Sequence, residues 1–91
     1  MSVKNKVLLW FDIETGGYDK KQNPILSLGY AFTNMKLEVI EKGEFLIANK
    51  HNLHIDPEAL KVNNINMEEH EKVALDPAYV AFRFNTLIKK H

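Results

Sequence analysis

Ninety-one residues allow one small domain with a modest core, and 45% hydrophobic with 26% charged residues describes a globular chain, not a disordered one. Twelve Lys and Arg balance twelve Asp and Glu. The zero net charge excludes a protein that holds nucleic acid by charge alone, but not one in which bound cations supply the positive charge.

Lys4 and Lys6 precede the apolar run Val7-Leu8-Leu9-Trp10. Asp12 interrupts that run early, so neither a signal peptide nor a bilayer span is expected. A first strand is expected over residues 6–13. It is apolar on both faces and so reads as central and buried. Residues 16–23 form a polar turn with Asp19, Lys20 and Lys21. Those two lysines read as a solvated turn ahead of a phosphate contact. A second strand is expected at 25–33, with Pro24 at its entry, where a missing N–H does least harm. Asn34-Met35-Lys36 reads as a hairpin turn. A third strand follows at 37–48, with Gly43 marking a bulge. Three strands joined by short connections imply an antiparallel meander.

The second half turns helical. Asp56 reads as an N-cap with Pro57 at the first helical position. That short helix runs to Lys61, and Asn63-Asn64 supply a left-handed stop. Asn66 and Glu69 have capping-box spacing, which predicts a second short helix. Asp76-Pro77 opens the longest helix, reaching about residue 89. Val80, Phe84, Leu87 and Ile88 form its apolar stripe, Tyr79 and Phe82 widen it, and the stripe is expected to pack on the sheet. Lys89 and Lys90 suit the negative end of its dipole. The whole reads as one domain over 1–91, α/β with α+β character, without repeats or low-complexity linkers.

The chemistry concentrates in Phe11-Asp12-Ile13-Glu14-Thr15-Gly16-Gly17. Residues i and i+2 of a strand share a face, so Asp12 and Glu14 project side by side. Neighbouring carboxylates repel unless a cation sits between them, and Mg²⁺ prefers such hard oxygen ligands. The two glycines remove side-chain bulk where a ligand backbone approaches. A bare Asp-x-Glu is more often a solvated strand terminus. The apolar strand before it and the glycines after it favour a metal site here. His51 and His54 are spaced H-x-x-H in an expected loop, without the further ligands zinc needs. His70, among Glu68, Glu69 and Glu71, reads as part of a solvated helix face, and His91 as a frayed terminus. There is no phosphate-binding Gly-rich loop and no Ser or Cys nucleophile motif. The lack of Cys removes disulfides and thiolate metal sites, and fits a cytoplasmic protein.

Phe11-Asp12-Ile13-Glu14-Thr15-Gly16 resembles the first motif of the DEDD 3′–5′ exonucleases of the ribonuclease-H-like superfamily. Pro24-Ile25-Leu26-Ser27-Leu28-Gly29 resembles the start of that family's second strand. The segment from Ile55 to Ile65 resembles its stretch beside the 3′-terminal nucleotide. The resemblance implies that Asp12 and Glu14 are the first two catalytic, metal-binding acids of a two-metal site for Mg²⁺ or Mn²⁺. Asp12 would bridge both ions and Glu14 would hold the one nearer the attacking water. Thr15 and Gly16 would hold the terminal nucleotide, with Leu60 against its base and Asn64 beside it. The implied partner is a nucleic-acid 3′ end, DNA ahead of RNA.

The family pattern also needs two further Asp motifs and a His or Tyr base, none of which falls within the 91 residues. The resemblance is therefore to the first half of such a domain, lacking the later strands. In the complete order a parallel fourth strand borders the first. Without it the first strand would show an open edge, suited to a complementary half-domain or a second copy of the chain. The alternative reading is a shortened, non-catalytic relative that serves as an interaction or dimerising module.

Overall fold

The computed structural model describes residues 6–19 and 21–91. Lys4 and Lys20 lie outside the described residues. Three strands, β1 (Leu8–Thr15), β2 (Ile25–Thr33) and β3 (Val39–Leu46), are followed by α1 (Pro57–Asn63), α2 (Met67–Val73) and α3 (Pro77–Lys90). The sheet order is β1-β2-β3 with both pairings antiparallel, the expected meander.

Local chemistry accounts for each connection. The Asn34 side-chain oxygen accepts from the amides of Lys36 (2.9 Å) and Glu38 (3.0 Å), which closes the β2–β3 hairpin, and Leu37 takes a left-handed φ of 66°. The bulge of this hairpin lies beside Phe32 and Thr33, not at the expected Gly43. Gly43 sits in regular register opposite Tyr30, and a Cβ there would collide with the tyrosine ring. The glycine makes room for an aromatic ring; it does not bend the strand. β3 ends at Leu46, and Ile47 then bridges Leu75 in parallel.

Each helix starts at an Asx residue. Asn66 accepts from the Glu69 amide at 3.2 Å and Asp76 from the Ala78 amide at 2.8 Å, as their spacing predicts. Asp56 departs from expectation, because its side chain makes no capping bond. Its backbone amide instead donates to the Gly16 carbonyl at 2.7 Å. Asn64 is the left-handed stop of α1, with φ 55° and ψ 46°.

α3 lies on one sheet face. Phe45, Ile47 and Val80 are buried there, with Leu28, Tyr30, Phe84 and Leu87 packed against them. Tyr30 stacks on Phe45 (5.5 Å between centroids) and meets Phe84 at 5.9 Å. Tyr79, Phe82 and Ile88 are exposed, so the apolar stripe is narrower than its sequence implies. They flank the line through Val80, Phe84 and Leu87 and have no sheet beneath them. His91 is not frayed: its Nε2 lies 2.8 Å from Glu41 Oε1 and its ring 4.5 Å from that of Phe32.

The first strand is not the central, buried strand its apolar run suggests; it has the open edge expected where a fourth strand is lacking. β1 is an edge of the described sheet, and Trp10 and Phe11 are 51% and 65% exposed. Among the described residues no strand pairs with its outer side. The strand also starts two residues later than expected and continues through both acids to Thr15.

Candidate functional site

Asp12 pairs with Gly29 and Glu14 with Ser27 across the β1–β2 ladder. Alternation along β1 puts both acids on one face, roughly 7 Å apart at Cα. Ile13, Leu28 and Tyr30 belong to the opposite face, which α3 covers. The acids therefore stand on the open side of the sheet. Opposite Asp12, Gly29 has no side chain, so the space above it is free for a ligand. A shallow depression there is lined by Trp10, Asp12, Gly29 and Ala31 with Phe11 and Tyr30. The Ser27 hydroxyl lies 3.5 Å from Glu14 Oε2, a long and weak donor contact. On the far side of Gly29 stands Glu44 of β3. It is two strand spacings, roughly 10 Å, from Asp12. Among the described residues no three His, Cys, Asp or Glu side chains converge closely enough to hold a metal ion. Two hard oxygen donors beside open space suit Mg²⁺ or Mn²⁺, provided other oxygens complete the shell.

The turn after the acids is tied down from several sides. The Thr15 hydroxyl donates to the Gly17 carbonyl at 2.7 Å. The Gly16 amide donates to the Pro24 carbonyl at 2.9 Å, and the Gly16 carbonyl accepts from Asp56. Asn63 donates from Nδ2 to the Thr15 carbonyl at 3.1 Å. These contacts dock the start and the end of α1 onto the end of the acidic strand.

A family model described as an exonuclease family, RNase T, matches residues 9–91. The chain belongs to this exonuclease family. It is 34% identical over 73 residues to a Dictyostelium discoideum protein described as a probable oligoribonuclease, which covers 79% of the chain and 36% of that protein. E. coli exonuclease I in complex with a dA16 oligonucleotide superposes with a TM-score of 0.83 at 21% identity, over 91% of this chain and 18% of that one. The zinc-bound form of the E. coli exonuclease I complex with single-stranded DNA gives 0.82 at 21% identity over the same shares. The likeness to these structures is one of fold: the three-stranded antiparallel sheet and three helices match part of exonuclease I. The chain spans about a third of the length of its curated relative and under a fifth of exonuclease I.

Within this exonuclease domain the structure brings Asp12, Glu14, Thr15 and Gly16 together along one strand end. Leu60 and Asn64 line a different, open cleft with Lys61, Ile65, Asn66 and Glu69, which neither acid lines. Asn64 spends its amide on capping α1. Lys21 is exposed in the turn, and so are His51 and His54 in their loop. Sequence reasoning missed Asn63, whose helix-stop signal concealed its bond to Thr15. It also misplaced His70, which is buried at 6% exposure and not on a solvated helix face. The local signal is faint: His70 stands three residues after Met67 and four before Ala74, on the one apolar face of α2, and its docking against β2 encloses the ring.

Proposed function

We propose that this chain supplies the first acidic motif of a metal-dependent 3′–5′ exonuclease acting on nucleic-acid 3′ ends, with Asp12 and Glu14 holding Mg²⁺ or Mn²⁺. The observation that carries the reading is the pair itself: two acids on the uncovered sheet face, opposite a glycine, in a chain of the exonuclease family. When bound, such an ion activates water and stabilises the leaving oxygen. The chain's own part is to place two carboxylates on a rigid strand, keep the space over Gly29 clear, and hold the Thr15–Gly16 turn where a terminal nucleotide would approach. Leu60 and Asn64 in the neighbouring cleft are candidates for contact with that nucleotide. The oligonucleotide-bound exonuclease I structures favour DNA, and the oligoribonuclease relative favours RNA. We place the protein in the cytoplasm. Among the described residues no helix is long and apolar enough to cross a membrane.

The test is Mn²⁺ titration followed by backbone NMR. Paramagnetic broadening is expected around residues 12–16 and is lost in the Asp12→Ala/Glu14→Ala double variant. Unchanged broadening in that variant rules the site out. Two acids stand here where the family pattern uses four, so the 91 residues alone are expected to release little or no mononucleotide from a 3′-labelled strand. Robust Mg²⁺-dependent degradation abolished by Asp12→Ala would show that two acids suffice.

A second reading rests on the exposed edge of β1. We propose that this edge pairs with a further strand, from a complementary half-domain or a second copy, and that a non-catalytic role would act through it.

A further inference from the structure

His70 is the buried titratable residue that the proposed chemistry leaves unused. Its Nε2 lies 2.8 Å from the Leu26 carbonyl, 44 residues earlier in the chain. That oxygen can only accept, so the ring donates to it. Its Nδ1 lies 2.9 Å from Glu71 Oε2. Glu71 Oε1 in turn accepts from the Asn49 amide at 3.0 Å. The ring is thus fixed at both nitrogens.

Leu26 occupies a particular place. Glu14 pairs with Ser27, yet the next residue, Thr15, pairs with Ile25. Leu26 is the extra residue of a bulge directly beside the second acid. It is fully buried, and its carbonyl accepts from the Ile47 amide (2.8 Å) as well as from His70. Bulges bend a strand and re-aim the side chains next to them.

We propose that His70 is a positioning residue for the acidic pair. By holding the Leu26 carbonyl it fixes the bulge that sets Ser27 against Glu14 and turns the chain toward Gly16. The proposal rests on Asp12 and Glu14 being the metal ligands. It adds a residue on α2, remote in sequence and touching neither acid, that determines how well they bind.

The experiment uses Mn²⁺ alone as the probe, on the full chain, at a temperature where every variant is folded. His70→Leu removes the donor. It is expected to weaken Mn²⁺ binding at residues 12–16 by about tenfold or more, the usual effect of removing a group that orients a ligand. His70→Gln keeps an N–H donor and is expected to recover most of that loss. A purely structural histidine would lower the melting midpoint in both variants and leave the affinity of the folded chain unchanged. Glu71→Ala, at a partly exposed position, frees the ring at its other nitrogen and serves if His70→Leu does not fold. Wild-type chain without Mn²⁺ broadening overturns the metal reading and the proposal with it. Wild-type binding that survives unchanged in His70→Leu or Glu71→Ala overturns the positioning role alone.

Discussion

Glu41 shows how one residue can hold an element end. Its carboxylate takes His91 at 2.8 Å and Lys90 at 3.2 Å, both at the end of α3. Those hydrogen bonds, His91 first and Lys90 second, hold its pKa below the ordinary 4.5, against a smaller rise from burial. A depressed carboxylate stabilises the folded chain above its unfolded pKa. That contribution is lost as pH falls through the folded value. The α3 terminus is therefore expected to loosen in the acid range below about 4.5. In His91→Ala the Glu41 titration, followed by carboxyl ¹³C shifts, is expected to move up toward the ordinary value. An unmoved Glu41 titration would show that the contact does not exist in solution.

Packing between elements depends on α3 more than on the short helices. Val80, Phe84 and Leu87 cover Tyr30 and Phe45, and they form the only helix–sheet core among the described residues. α1 contains no buried residue and α2 only His70. Both are held chiefly by hydrogen bonds, through Asp56 and Asn63 for α1 and through His70 for α2. Truncating a fully buried Phe costs about 3–5 kcal/mol. Phe84 is mostly but not fully buried, so Phe84→Ala is expected to cost roughly 2–3 kcal/mol. In a domain of this size that lowers the melting midpoint by roughly 10–20 °C. An unchanged midpoint would mean that this face is not core.

At the scale of the molecule, the described fold is elongated, 46 × 24 × 24 Å, with a radius of gyration of 15.2 Å. A compact domain of this length would have about 12 Å. The excess surface includes the outer edge of β1 and the side chains of Trp10, Phe11 and Ile13. An unpaired strand edge with such residues recruits another strand. At micromolar concentration the chain is expected to sediment as more than a monomer, with β1 amides protected from exchange. A clean monomer with fast-exchanging β1 amides would refute this. Symmetric self-pairing is antiparallel and tends to send the two Asp12 residues to opposite ends. It would close the edge without gathering four acids.

The sequence by itself determined what depends on neighbours along the chain. The period of two put Asp12 and Glu14 on one face. Asn34, Asn66 and Asp76 announced their turns and caps because their side chains bond amides two to four residues away. The meander followed from short connections. Tertiary structure decided what depends on which surfaces meet. It chose the sheet face that α3 covers, and so left the acids on the open one. It gave Gly43 to the Tyr30 ring and buried His70 against a carbonyl 44 residues away. It also tied Asn63 to Thr15 across 48 residues. These contacts join segments with no shared local pattern. Their partners are set by docking geometry, which no window of sequence contains.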